Sequence, residues 1–230
     1  MHSIVRGLVI RAVDYKESDR ILTVLTDRLG KVTVSARGAR RKGSRLAPAV
    51  QLFAYSEMTL FAYGGRFRLD EAETLEQFSG LRRDLDSTAL ASYFAEVLST
   101  EAEEAAPHPD VMRLALNSLY ALARGGWELW RVKAAFELRY AALSGYAPDD
   151  SALRMELEDQ ALECARYILG CDLKRLLSFS LQGEENRRSL CAFTEEYLLS
   201  RLERGFRTLD FYHSVAALPL AAPADMGVVK

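Results

Sequence analysis

Four kinds of side chain in this sequence could do chemistry, and only one kind is arranged for it. The three histidines, His2, His108 and His213, lie far apart and stand in no nucleophile motif, so they read as surface or packing groups. Asp149-Asp150 and Glu184-Glu185 set carboxylates side by side in loop-like stretches, which points to solvation rather than to a paired acid and base. The three cysteines, Cys164, Cys171 and Cys191, lack the Cys-x-x-Cys step that lets two thiolates reach one zinc ion at about 2.3 Å. Cys164 and Cys171 would stand about 10 Å apart along a straight helix. Cys164 also shares a helical stripe with Leu157, Ala161 and Ile168, so packed core thiols are expected. Gly38-Ala39-Arg40-Arg41-Lys42-Gly43-Ser44 imitates a phosphate loop, but that loop needs its lysine after the second glycine. Here Lys42 precedes Gly43, so no nucleotide site is expected. The remaining feature is charge. Arg37, Arg40, Arg41, Lys42 and Arg45 place five cations in nine residues without one carboxylate. Such a run repels itself and needs solvent or a polyanion, and it is denser than solubility requires.

The elements that must hold this loop read as strands. Ile4 to Val13 alternates with one slip, as a half-buried strand with a bulge does. Ile21 to Thr26 and Lys31 to Arg37 flank a Leu29-Gly30 turn and form a hairpin. Val50 to Tyr63 is rich in strand formers, and Tyr63-Gly64-Gly65-Arg66 is a tight-turn signal leading into Phe67 and Leu69. Five strands in about 75 residues fit a small closed barrel of the OB-fold kind. From Asp86, which can cap a helix, the apolar period becomes helical. Stripes through Leu90–Leu98 and Val111–Leu122, a third opened by Trp127, and two more near 157–169 and 187–204 describe a helical bundle. Ala216 to Ala224 is a small-residue, proline-containing tail. The expected class is therefore α+β and multi-domain, with a five-stranded OB-fold β-barrel over 1–79 and an α-helical bundle domain over 80–230.

Charge divides the same way. Residues 1–75 carry 13 Lys/Arg against 8 Asp/Glu, whereas the rest of the chain carries 17 against 24. The first part attracts polyanions and the second repels them. No apolar run approaches the roughly 20 residues that cross a bilayer. The start of the chain lacks the apolar core of a signal peptide. Sparse, odd cysteines argue against a secreted disulfide framework, so a cytoplasmic protein is expected. On the barrel, Lys31 and Arg37 flank the basic loop at strand ends, and alternation puts Arg66 and Arg68 on one face. These cations, with Arg40, Arg41, Lys42 and Arg45, form the expected phosphate-binding set. Tyr15, Phe53, Phe61, Tyr63 and Phe67 are candidate stacking surfaces, though strand spacing assigns most of them to the barrel core.

Several stretches carry a resemblance. Leu8-Val9-Ile10-Arg11, Tyr15 to Leu22, Leu29-Gly30-Lys31 and Ala36 to Leu46 closely resemble the RecO family of bacterial recombination mediators. Leu143 to Pro148 and Leu202 to Phe211 are similar to its landmarks in the helical part. The resemblance implies an N-terminal OB-fold and a helical C-terminal domain. It implies a non-enzymatic protein that binds single- and double-stranded DNA and anneals complementary strands. It further implies work with RecR, and with RecF, in loading recombinase onto strands coated by single-strand-binding protein, in the nucleoid-associated cytoplasm. Many relatives carry a four-cysteine zinc module after the segment matching Tyr146-Ala147-Pro148. This chain runs instead from Pro148 through Asp149-Asp150 without Cys-x-x-Cys, so no zinc or other cofactor is expected. Two other readings of the residues stay open: an RNA-binding OB-fold protein, which would prefer RNA over DNA of equal sequence, and a protein-interaction adaptor, whose DNA affinity would show little salt dependence.

Overall fold

The computed structural model describes residues 2–102 and 106–217, without the side chain of Glu101. Five strands, β1 (His2–Tyr15), β2 (Asp19–Thr26), β3 (Gly30–Ala36), β4 (Tyr55–Tyr63) and β5 (Arg66–Glu76), close into a barrel in the order β1-β2-β3-β5-β4. All neighbours are antiparallel except β3 and β5, which meet in parallel through only Val34↔Phe67 and Ser35↔Arg68. This is the OB-fold expected from the strand pattern. The slip in the first strand is a register shift between Val9 and Arg11. It bends β1 so that its first half pairs with β4, from His2↔Phe61 to Leu8↔Tyr55, and its second half with β2, out to Tyr15↔Asp19. Gly64 and Gly65 turn β4 into β5 at φ 57° and 73°, values a side chain would resist.

One boundary differs. The fourth strand starts at Tyr55, and residues 37–54 form a chain of turns instead of extending strand from Val50. Val50 N–H donates to Leu46 O at 3.2 Å, and Phe53 adopts a φ of 67°. Burial explains this. Ala39, Ala49, Val50 and Ala54 are 1% exposed or less, so these apolar residues fill the barrel end rather than continue its wall.

Seven helices are described: α1 (Leu85–Glu101), α2 (Pro109–Arg124), α3 (Leu129–Leu143), α4 (Asp150–Glu156), α5 (Asp159–Gly170), α6 (Glu184–Leu202) and α7 (Arg207–Ala216). Asp84, not Asp86, caps α1 by accepting from Ser87 N–H at 2.9 Å. Pro109 opens α2, where its missing N–H costs nothing, and Gly125 ends it. A short 3-10 turn at Ser79–Arg83 joins barrel to helices, with Gly80 pressed against α2. A Cβ there would stand 1.8 Å from Ala123 O. Beyond Ala217, the tail expected over Ala216 to Ala224 lies outside the described residues.

The barrel does not stand apart. Leu8, Ile10 and Leu25 of its wall, with Phe53 from the turns before β4, join one apolar cluster with the helices, which includes the Phe94–Phe136 stack at 3.9 Å. Val5, Val9, Leu22, Val24, Val34, Met58 and Leu60 fill its interior. Inside the helical half, Lys133 Nζ on α3 sits 2.7 Å from Glu137 and 2.6 Å from Glu195 on α6. Glu137 is fully buried and also accepts from Tyr93 Oη and Thr194 Oγ1. No described helix is long and apolar enough to cross a membrane.

Candidate nucleic-acid interface

The basic loop leaves β3 at Ala36 and arches outward between two anchors. Ala39 is 1% exposed and plugs the barrel end. Turn hydrogen bonds from Arg41 N–H to Gly38 O at 3.1 Å and from Ser44 N–H to Arg41 O at 3.0 Å stiffen the arch. Arg37, Arg41, Lys42 and Arg45 are exposed, and no ion pair is found for them among the described residues, although Arg37 lies near enough to Asp19 to help hold its carboxyl low. These four are free to meet a polyanion.

Arg40 is placed differently. Its guanidinium reaches Asp14 Oδ2 at 3.2 Å and donates to Lys16 O and Glu17 O at 3.4 and 3.3 Å. Its backbone N–H donates to Ser18 O at 2.9 Å. Arg20 completes the knot, donating to Asp14 Oδ1 at 2.9 Å and to Val50 O at 3.2 Å. The hydrogen bond from Arg20 holds the Asp14 carboxyl below its usual range, with help from Arg40. Asp19 accepts the Gly38 N–H at 2.8 Å, and that backbone bond lowers its carboxyl too. The loop is thus laced to the β1–β2 turn before any ligand arrives. Sequence reading counted Arg40 with the gripping cations. Its alternating neighbours gave no sign that Asp14 lay across the turn.

Lys31 does not join this group. It stands at the far end of β3, where Nζ donates to Ser99 O at 3.0 Å at the C-terminal end of α1. There its charge meets the negative end of a helix dipole, so it ties the barrel to the helices. Arg68 pairs across the seam with Ser35, two residues before Arg37, or about 7 Å along the strand. It bonds Asp70 at 2.8 Å and lies 5.2 Å over the Phe61 ring. That bond depresses the Asp70 carboxyl, aided by His2. Arg66 shares the outer face with Arg68 and is exposed, while Phe67 and Leu69 turn inward, as alternation predicts.

Two cations were overlooked. Arg11 points outward just beyond the bulge, and Lys16 tops the β1–β2 turn at φ 52° with Nζ 5.4 Å from the Tyr15 ring centroid. The strand alternation, once restarted at the bulge, would have shown Arg11. Lys16, Arg37 and Arg41 line one shallow cleft with Ser18, Gly38 and two acids, Glu17 and Asp19. Among the aromatic candidates, Phe53 is core, Phe61 and Phe67 are half-buried, and Tyr15 and Tyr63 are exposed at 50% and 80%. The cysteines are all free. Burial pushes the thiol of Cys191 up to about 11, and among the described residues no three His, Cys, Asp or Glu converge on a point where a metal would sit.

A closed five-stranded barrel, with an exposed cationic arch and a helical half sharing its core, defines an OB-fold protein of the two-part kind. Comparison with known proteins narrows the class. Residues 1–78 match the family model described as Recombination protein O N terminal, and residues 82–152 match Recombination protein O C terminal. The chain belongs to the RecO family. It is 27% identical over 238 aligned residues to the DNA repair protein RecO of Acetivibrio thermocellus, covering 89% of this chain and 94% of that one. With the DNA repair protein RecO of Listeria monocytogenes it is 35% identical over 142 residues, 62% of this chain and 55% of the relative. The counterpart from Clostridium novyi is 27% identical over 144 residues, again spanning about half of the relative, 56%.

Proposed function

We propose that this protein is a non-enzymatic DNA-binding mediator of repair and recombination. It binds single- and double-stranded DNA, anneals complementary strands and, with RecR, helps load recombinase onto strands coated by single-strand-binding protein. The observation that carries this reading is the outward arch bearing Arg37, Arg41, Lys42 and Arg45, exposed and without an ion pair among the described residues. Like-charged groups held close on a stiff loop repel one another and are relieved by a polyanion. Phosphates also release condensed counterions when such groups bind them, which makes the affinity strong, salt-sensitive and largely indifferent to sequence. The relatives' name, DNA repair protein, supports the same assignment.

Annealing needs no covalent step on this reading. A cationic rim that holds two strands screens their repulsion and raises their local concentration, and base pairing completes the reaction. Lys31 is left out of the grip because its ammonium is spent on α1, and Arg40 acts by fixing the arch. Arg66 extends the track along β5, and Arg68 beside it, already balanced by Asp70, adds less.

The test is DNA titration over a range of salt with Arg41→Glu/Arg45→Glu. Both side chains are exposed, so the fold is expected to survive. Losing two phosphate contacts should lower the slope of log affinity against log salt by about 1.8 on duplex, at about 0.9 per contact. Annealing of complementary strands, with and without single-strand-binding protein, should fall in step. Wild-type affinity and slope in the double variant would reject the arch as the grip.

A further inference from the structure

The crest of the arch is a turn with a glycine corner. Ser44 N–H donates to Arg41 O at 3.0 Å, which makes Lys42 and Gly43 the two corners. Gly43 holds φ 78°, the value that the second corner of a type II turn takes. A Cβ built on Gly43 would meet nothing within 4 Å, so the crest stands clear of the barrel. A turn closes its ends to within about 7 Å, which sets Arg41 and Arg45 as two legs on either side of Lys42. All three side chains are exposed, and none has an ion pair among the described residues.

The amines of this chain are few and unlike. Six lysines stand against 24 arginines. Lys31 Nζ donates to Ser99 O at 3.0 Å, and Lys133 is buried between Glu137 and Glu195 at 2.7 and 2.6 Å. Lys16 shares its cleft with Glu17 and Asp19, two acids that repel an approaching anion. Lys174 is exposed, but Asp172 stands two residues away and accepts its backbone N–H at 2.8 Å. Lys230 lies outside the described residues. Among the described lysines, Lys42 alone is exposed at a crest and flanked by two arginines that have no ion pair. Guanidinium groups stay protonated and offer no nucleophile, so this amine is the reactive group of the arch.

We propose that Lys42 is an acylation site whose donor is a small acyl phosphate. The proposal rests on the phosphate-gripping reading above, because Arg41 and Arg45 seat the donor's phosphate as they would seat one of a DNA backbone. That places the acyl carbon beside Nζ. The ammonium first gives one proton to water. The amine nitrogen then attacks the acyl carbon and a C–N bond forms. The bond from that carbon to the phosphate oxygen breaks, and inorganic phosphate leaves with the electron pair and the second N–H proton. The product is a neutral amide, so one of the four gripping charges is removed. The other three are arginines and cannot be removed this way. DNA lying on the arch covers the amine and protects it.

The experiment incubates the intact protein with acetyl phosphate and follows acetylation of each lysine by mass spectrometry of its peptides. Lys42 should react about tenfold faster than Lys174, the low end of the range by which fixed charge concentrates a counter-ion. Arg41→Gln/Arg45→Gln should bring Lys42 down to the Lys174 rate, and duplex DNA at low salt should slow Lys42 while sparing Lys174. Acetylated wild type should lose about 0.9 of its duplex salt slope. Lys42→Arg treated in the same way, which keeps the charge and offers no amine, should lose none. Equal rates at Lys42 and Lys174, with DNA binding intact, would overturn the acylation site and leave the phosphate grip standing. So would an equal preference for Lys42 with N-hydroxysuccinimidyl acetate, an uncharged donor, since exposure alone would then explain it. Selective acetylation that DNA does not hinder, in a protein without salt-dependent DNA binding, would uphold the acylation site and overturn the grip on DNA.

Discussion

Arg40 and Arg41 are sequence neighbours with opposite electrostatic duties. Arg41 faces solvent without an ion pair among the described residues, whereas Arg40 is held by Asp14 and two turn carbonyls. Charge that is already balanced releases few counterions on binding. Arg41→Gln should therefore reduce the duplex salt slope by about 0.9, while Arg40→Gln reduces it by less than half as much. A salt titration of each variant separates the two, and equal slopes would show that the Asp14 contact does not persist in solution. The acids that lace the arch also set a pH dependence. Asp14 and Asp19 have folded-state carboxyls depressed below the ordinary 3.8. Their contribution is therefore fully present above that value and lost as acid titrates them in the folded protein. Composition and spacing revealed the arch and its charge because five cations in nine residues need no tertiary context to be seen. The division of labour among them was hidden. It depends on a carboxylate 26 positions upstream of Arg40, brought there by the β1–β2 turn.

Among the elements, the junction between barrel and helices is the most exacting. Gly80 lies so close to α2 that a methyl group would run into Ala123 O. Backbone, unlike a side chain, cannot rotate away. Gly80→Ala should cost about 3 kcal/mol, the upper end of the range for overpacking, whereas Asp84→Ala, which removes the cap of α1, should cost about 1 kcal/mol. Urea midpoints measured with unchanged m-values would check both; a Gly80→Ala loss no larger than that of Asp84→Ala would contradict the tight junction. Strong periodicity made the strands, the barrel class and the long helices legible in advance. The elements missed were those whose stabilisation is not periodic. α4 buries only Leu153, too little to leave a stripe, and α7 is short, with Leu209, Tyr212 and Val215 spaced three apart. Val50 to Ala54 has strand-forming composition but fills the barrel end, and burial won over propensity.

At the scale of the whole molecule, the two halves are one packed body with a charge at the heart of the second. Burial pulls the Lys133 ammonium down, but Glu137 and Glu195 together carry it above its usual range. Burial pushes the Glu137 carboxyl up, against the pull of Lys133. Removing the lysine would strand a carboxylate with no solvent, so Lys133→Met should cost about 3–5 kcal/mol. The pair Lys133→Met/Glu137→Leu should recover most of that loss, and chemical denaturation of the three variants tests it; strict additivity would show that the contact carries no coupling. None of this network was visible beforehand, since its members lie on three helices and helical spacing links only Lys133 to Glu137. One feature of the barrel reaches further. Its cylinder is buttoned by just two residue pairs between β3 and β5, and Arg37 and Arg68 sit on opposite lips of that opening. On our reading, a nucleic acid spanning both would act as a suture, and a molecule clasping its cargo would by the same stroke resist coming unrolled.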